Sequence, residues 1–159
     1  MILDNLLTFG TDMDASQAAG TFNFTNVVDL SAVRDVGNGQ PLYLVLLCTG
    51  GADGIITGGS AGTIRFQLVS DSTSSIATDG TASVHLRTKE YVTDDSALNE
   101  VKLGDVFFCG AIPLDGKEPY ERYLGVQLVV TTTTTTEGTV SAFLTIDPHG
   151  YKAYPDANN

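Results

Sequence analysis

The side chains from which catalytic sites are most often built are scarce in this chain. His85 and His149 are the only two histidines. His85 is predicted on the polar face of a strand, beside Ser83 and Arg87, and His149 follows Pro148. A Ser-His-Asp or Cys-His arrangement requires a histidine beside a nucleophile. The sequence gives no sign that either histidine is so placed, and we expect no catalytic residue and no enzymatic activity.

Metal ligands are equally scattered. Asp12-Met13-Asp14 and Asp94-Asp95 are the acidic clusters with metal potential. Calcium takes six to eight oxygen ligands, and two adjacent carboxylates do not define a site. The two cysteines and two histidines lack the short spacings of zinc ligands. We therefore expect no metal ion and no cofactor.

The two cysteines lie in apolar runs, Leu44 to Cys48 and Val106 to Cys109. Buried thiols behave as small hydrophobic side chains. We predict that both thiols are buried, and the sequence leaves open whether they form a disulfide. Two cysteines do not make a disulfide scaffold, and synthesis in the cytoplasm fits this cysteine usage better than secretion does.

The stretch Gly50 to Gly62 holds six glycines in thirteen residues. A phosphate-binding loop would need a Gly-Lys-Ser/Thr ending, and this stretch has no lysine and carries Asp53. We interpret it as a long connection, either a plain flexible loop or one that is ordered by a neighbouring subunit.

Charge argues against nucleic acids and membranes as partners. The chain of 159 residues has a formal net charge of −11, and no lysine or arginine precedes Arg34. Nucleic-acid binding needs basic groups that displace counterions from phosphates. No stretch approaches the roughly 20 apolar residues of a membrane span, and we expect no secretory signal at the N terminus.

The elements that would position these residues are strands. Apolar and polar residues alternate in Phe22 to Leu30, Thr63 to Val69, Thr81 to Arg87, Leu124 to Val130 and Val140 to Ile146. Such alternation is typical of antiparallel strands that bury one face. No sustained helical period occurs, so helix should be minor.

Two runs, Leu42 to Cys48 and Val106 to Ile112, are apolar on both faces. This pattern fits central strands or strands that a partner covers. With Leu6 to Phe9 as a weak edge candidate, about eight short strands separated by turn residues are predicted. We predict a single all-β domain over residues 1–159, an antiparallel β-sandwich of jelly-roll type.

Three segments should lie outside this framework. Thr131 to Thr136 is equally polar on both faces and is predicted to form an exposed, mobile hairpin tip that turns near Glu137-Gly138. The chain ends, an extended N-terminal segment and a C-terminal tail of about residues 148–159, either fold back on their own sandwich or dock on a neighbour. The second alternative makes the following residues candidates for partner contacts: Met1, Ile2, Leu3, Leu6, Leu7, Tyr151 and Tyr154.

Several stretches together resemble a known family. They are Met1-Ile2-Leu3-Asp4, Thr25 to Leu30, Arg34 to Tyr43 with its Gly37-Asn38-Gly39 turn, Glu121-Arg122-Tyr123-Leu124, and Lys152-Ala153-Tyr154-Pro155. On these residues the chain resembles the Bbp16-like phage capsid cement proteins. The resemblance spans most of the chain. In the middle of the chain only the general residue pattern matches, without a specific motif.

The resemblance implies a structural virion protein rather than an enzyme. It implies a cement or decoration protein that binds the outer face of an icosahedral shell and stabilises contacts between capsomers. Its partners would be the phage major capsid protein and other copies of itself, as a dimer or trimer, without nucleic acid or membrane. The acidic charge is compatible with this position on the capsid exterior, away from packaged DNA.

Two other functions remain open from the residues. One is a tail-associated or fibre-associated β-sandwich that binds carbohydrate or another virion protein. The absence of tryptophan argues against the binding of sugar. The other is a hydrolase on a jelly-roll scaffold, since fold does not settle function. The scarcity of histidines and the absence of metal-ligand spacings argue still more strongly against a hydrolase.

Overall fold

The structure, a computed structural model, describes residues 4–33, 40–57, 62–94, 99–113 and 119–148. These residues form twelve β-strands and one 3-10 helix, Asn5–Leu7, and the helix content is minor, as predicted. The strands are β1 Thr8–Asp14, β2 Gly20–Asn23, β3 Val28–Asp29, β4 Tyr43–Gly50, β5 Ile56–Thr57, β6 Thr63–Asp71, β7 Ser83–Arg87, β8 Tyr91–Val92, β9 Val106–Ala111, β10 Tyr123–Thr131, β11 Thr135–Glu137 and β12 Thr139–Thr145.

The strands form two main antiparallel sheets, and the all-β sandwich prediction is confirmed. The smaller sheet has the order β1-β12-β4-β9. The larger sheet has the order β2-β10-β6-β7, with β3 also paired to β10 and β8 to β6. β5 and β11 form a separate two-stranded pair. The jelly-roll connectivity stays a prediction.

Alternation along the long strands builds the main core between the two sheets. Ile64, Phe66 and Leu68 of β6 are 0% exposed, as are Leu44 and Leu46 of β4. Burying a side chain of this size contributes roughly 1.5–3 kcal/mol. The pattern of β4 correctly predicts a central strand, because β12 and β9 flank it.

A smaller cluster lies outside the main core. Val69, Ile76 and Ala82 form it, together with the partly buried Val27 and Val84. Ile76 and Ala82 belong to the connection between β6 and β7. The larger sheet therefore buries part of its outer face under its own loop.

Two strand predictions need correction. Phe22 to Leu30 is not one strand: β2 and β3 are separate, and between them the Asn26 N–H donates to the Phe9 carbonyl at 2.7 Å. Ile146 lies beyond the end of β12 and is 59% exposed, so it does not continue that strand's buried face.

The threonine run is not the tip of a hairpin, because β10 and β12 lie in different sheets, and only part of the run is exposed. Thr132, Thr134 and Thr136 are exposed, but Thr135 is 1% exposed and belongs to β11, which pairs with β5. The Thr135 hydroxyl donates to the carbonyls of Ala15 and Gln17 and accepts from the Gln17 N–H. These hydrogen bonds fix a register that the sequence left undefined.

The glycine-rich connection is also more ordered than a plain loop. Ile55 and Thr57 within it are 0% exposed, and the Ile55 N–H donates to the Val101 carbonyl at 3.0 Å. Gly54 has φ +87°, and a Cβ there would lie 1.9 Å from the Val101 oxygen, so the close approach requires glycine. Residues 58–61 lie outside the described residues, as does the predicted turn at 37–39.

Candidate interaction surfaces

The predicted N-terminal contact residues have different environments. Leu6 is 79% exposed, the largest exposure among the large hydrophobic side chains that the structure describes. Leu7 is partly buried against the main core. Asp4 begins the 3-10 helix, where its carboxylate accepts the Leu6 N–H at 2.9 Å. Leu6 is therefore presented outward by a capped turn, whereas Leu7 is directed inward.

A groove runs beside this turn. It has a volume of about 730 Å³ and is lined by residues 4–8 on one side and 25–29 on the other. Among the candidate contact residues it includes Leu6 and Leu7. Met1, Ile2, Leu3, Tyr151 and Tyr154 lie outside the described residues, and their role as contact residues stays a prediction.

The edge strand β9 is a second exposed apolar feature. Among the described strands it pairs with β4 alone, so one of its long edges faces away from the sheet. Val106 is 41% exposed, and Cys109 and Ala111 are exposed. Leu103, just before the strand, is 51% exposed. Exposed edges of this kind are often protected by charged residues, proline or a β-bulge; β9 contains no charged residue and no proline, and has a bulge at Phe107.

The other face of β9 anchors it firmly. The Phe107 ring lies 5.1 Å from the Phe66 ring and 5.3 Å from the Tyr91 ring, and the Tyr91 hydroxyl donates to the Phe107 carbonyl at 3.0 Å. The register with β4 shifts at Phe107, which forms a bulge. The strand is therefore not central. Its sequence is apolar on both faces because Phe107 packs inward and the remaining apolar side chains lie at an exposed edge.

The burial prediction for cysteines holds for one residue only. Cys48 is buried in the main core, and burial raises the pKa of its thiol. Cys109 is exposed on β9, so the prediction for it is wrong. The two cysteines do not form a disulfide with each other.

One histidine does lie beside a hydroxyl, a contact that the sequence did not reveal. The register of β7 against β6 jumps between Leu86 and Val84, so His85 is the extra residue of a bulge. Its Nε2 lies 2.7 Å from Ser70 Oγ, and its ring stacks on Tyr120 at 4.0 Å between ring centroids. A bulge re-aims a side chain, which alternation alone cannot predict.

The surroundings of this Ser-His contact favour a structural role. Ser70 is 0% exposed, so its hydroxyl has no access to a substrate. Its Oγ also accepts the Glu121 N–H at 2.9 Å, and the Glu121 carboxylate accepts the Ser83 hydroxyl at 2.9 Å. The contact thereby ties β6 and β7 to the start of β10.

Another serine has the spacing of a nucleophile elbow. Residues 58–62 read Gly-Gly-Ser-Ala-Gly, a Gly-x-Ser-x-Gly pattern, and Ser60 lies outside the described residues. A nucleophile elbow connects a strand to a helix. Here the strands described on either side of the pattern are β5 and β6, and no helix is described between them because residues 58–61 lie outside the described residues.

Within the described ranges, no group of three or more His, Cys, Asp and Glu side chains could hold a metal ion. No helix among these residues has the length and apolar character needed to cross a membrane.

Asp29 and Arg122 form the best-defined ion pair on the surface. Arg122 Nε and Nη2 each lie 2.9 Å from a carboxylate oxygen of Asp29. Hydrogen bonds from Arg122 lower the pKa of Asp29 from 3.8 to about 2. The guanidinium also lies 4.9 Å from the centre of the Tyr123 ring.

Comparison with known proteins gives one family. A model of the Bbp16 family matches residues 13–144, which include β2–β11, all of β12 except its last residue, and only the last two residues of β1. No curated protein matches the chain.

Proposed function

The chain belongs to the Bbp16 family, a phage-associated family, and from this premise we propose that it is a capsid cement protein. It binds the major capsid protein on the outer face of an icosahedral shell and stabilises contacts between capsomers. It acts as a small homo-oligomer, a dimer or trimer, and has no enzymatic activity. The net charge of −11 supports a position away from the packaged DNA.

The single observation that carries this proposal is the apolar outer edge of β9. Its edge lacks a strand neighbour among the described residues, and Leu103 and Val106 lie exposed beside it. An extended segment of another protein can add to such an edge through main-chain hydrogen bonds. The proposed occupant is an extended segment of the capsid protein.

Many copies of this modest contact would act together. A single edge contact is weak, but an oligomer held at several points dissociates far more slowly than one subunit does. Leu6, with Met1, Ile2 and Leu3 before it, is proposed as a further contact, because its side chain is directed outward.

The test is reconstitution on particles that lack this protein. Wild-type protein should bind the particles and raise the temperature at which they release DNA. Val106→Asp should weaken binding at least tenfold, because the aspartate would lose its hydration against an apolar partner. The matched control is Val33→Asp, which makes the same change at a side chain that is 65% exposed outside β9.

If both variants bind like the wild type, β9 is not the contact. If the wild-type protein binds the particles but leaves the temperature of DNA release unchanged, the cement function itself is wrong.

A further inference from the structure

The groove beside the N-terminal turn combines apolar side chains with negative charge. Residues 4–8 form one wall and residues 25–29 form the other. Leu6 is 79% exposed on the first wall, and Val27 is half-buried on the second. The lining residues include two aspartates but neither lysine nor arginine. The groove therefore offers an apolar contact and an acidic contact side by side.

Both walls are fixed to the sandwich by hydrogen bonds. The Thr8 hydroxyl donates to the Asp4 carbonyl at 3.1 Å on the first wall. On the second wall the Asn26 N–H donates to the Phe9 carbonyl of β1 at 2.7 Å, and the residues that follow it pair with β10 as β3. A surface that is already ordered loses little conformational entropy when it binds a partner. The groove is in this sense pre-formed for binding.

The two aspartates of the groove differ in how their charges are compensated. Both carboxylate oxygens of Asp29 accept hydrogen bonds from Arg122. One oxygen of Asp4 accepts the Leu6 N–H at 2.9 Å, but no lysine or arginine within the described part of the chain pairs with Asp4. Asp4 is also exposed. A positively charged side chain from another molecule can therefore reach it.

We propose that this groove binds an extended segment of the major capsid protein in which a lysine or arginine lies between apolar residues. The basic side chain pairs with Asp4, and its apolar neighbours pack on Leu6 and Val27. The inference rests on the proposed function, and it adds a second contact to that of β9. The groove volume of about 730 Å³ is far larger than one ion or one side chain needs, which fits a segment of several residues.

A second copy of this chain is a poorer occupant of the groove. Each copy carries a formal net charge of −11, so two copies repel each other unless a basic surface of one meets an acidic surface of the other. The structure describes five lysines and arginines, and three of them, Arg65, Lys89 and Arg122, already pair with carboxylates of the same chain. Charge complementarity therefore favours a different, more basic protein.

The groove and β9 lie at opposite edges of the smaller sheet, whose order is β1-β12-β4-β9. Thr8 of the groove lies level with Val45 of β4, and Val106 of β9 pairs with Leu47 of β4. The two surfaces are thus about 14 Å apart across the sheet and about 7 Å apart along it. A segment that adds to β9 runs along the strands and does not cross the sheet to the groove. One subunit can therefore hold two separate segments of the shell.

The first test removes the charge of Asp4 but keeps its cap. Asp4→Asn retains an oxygen for the Leu6 N–H, because asparagine caps a helix as well as aspartate does. On particles that lack this protein, the variant should bind about fivefold more weakly than the wild type at low salt, and added salt should reduce the difference. The matched control is Asp79→Asn, since the exposed Asp79 accepts the Thr81 N–H at 3.0 Å in the same way. It should bind like the wild type.

The second test changes the sign of a new charge at one exposed position. Leu6→Lys and Leu6→Glu both remove the apolar contact, but only the lysine repels a basic segment. Leu6→Lys should therefore bind about tenfold more weakly than Leu6→Glu. Val33→Lys and Val33→Glu make the same changes at an exposed side chain that does not line the groove, and both should bind like the wild type.

Equal binding by Leu6→Lys and Leu6→Glu, or equal binding by Asp4→Asn and Asp79→Asn, would overturn the inference. If Leu6→Lys changes the oligomeric state of the free protein in analytical ultracentrifugation, a second copy occupies the groove instead. These results differ from a failure of the proposed function, in which the wild-type protein itself does not bind the particles or does not raise the temperature at which they release DNA.

Discussion

Asp29 and Arg122, which are 93 positions apart in the sequence, form a two-point ion pair in which both nitrogen–oxygen distances are 2.9 Å. The pair joins the two stretches on which the family resemblance rests most clearly, Thr25 to Leu30 and Glu121 to Leu124. Asp29 of β3 pairs with Tyr123 of β10, and the Leu30 N–H donates to the Arg122 carbonyl at 2.8 Å. The two motifs are far apart in the sequence, but in the structure they meet at one ion pair.

This joint predicts a pH dependence. Because the folded pKa of Asp29 lies at about 2, below its ordinary value of 3.8, the pair stabilises the fold above pH 3.8. That contribution is lost as the pH falls from about 4 toward 2. Arg122→Met should raise the pKa of Asp29 toward 3.8, as measured by resonance titration of its carboxyl carbon. Arg65→Met, at a different ion pair, is the control and should leave Asp29 unchanged. An Asp29 pKa near 4 in the wild type would contradict the pairing.

A second prediction concerns the threonine run. Thr135→Val should destabilise the protein by about 1–3 kcal/mol, because it leaves the buried Ala15 carbonyl and the Gln17 N–H without the hydroxyl that bonds them. Thr134→Val, at the exposed neighbour, should change the free energy of unfolding by less than about 0.5 kcal/mol. Urea unfolding of both variants measures the difference. Equal effects would mean that Thr135 is not buried.

The third prediction concerns a buried amide. Gln127 is 2% exposed; its side-chain nitrogen donates to Asn23 Oδ1 at 2.8 Å, and its side-chain oxygen accepts from Gln67 Nε2 at 2.7 Å. Gln127→Leu should cost about 2–4 kcal/mol, since it leaves polar groups of both neighbours unpaired. Gln17→Leu, where the amide is exposed, is the matched control. Thermal unfolding that ranks the two variants equally would argue against the network.

The fourth prediction separates the two thiols. A disulfide-exchange reagent should label Cys109 quickly and Cys48 only on unfolding, because burial raises the pKa of the Cys48 thiol and blocks access. Cys109→Ser should abolish the fast phase, while Cys48→Ser should leave it intact. A fast phase that survives Cys109→Ser would place Cys48 at the surface.

The sequence predicts the long strands well, because burial of one face makes apolar and polar residues alternate along the strand with a period of two. It predicts less where that period is absent. The apolar run at Val106 looks the same whether the strand is central or at an edge, and for this reason the sequence wrongly predicts that Cys109 is buried. Six identical threonines carry no information on which one is buried. The position of His85 depends on a bulge, which adds one residue without any signal in its type.

The candidate contact residues show the same limit. Leu6 and Leu7 are both candidate contacts from the sequence, yet Leu6 is exposed and Leu7 packs inward, and contact with a partner stays a prediction for both. The capped 3-10 turn decides between them, and it depends on the Asp4 side chain rather than on hydrophobicity. The sequence around Leu103 and Val106 contains no pattern that distinguishes an exposed apolar residue from a buried one.

The most direct test of the central claim is a cryo-electron microscopy map of the virion. We expect density for this fold on the outer surface of the shell, bridging neighbouring capsid subunits, with β9 against an extended segment of the major capsid protein. Density for this fold on the inner surface, or only in the tail or its fibres, would contradict it.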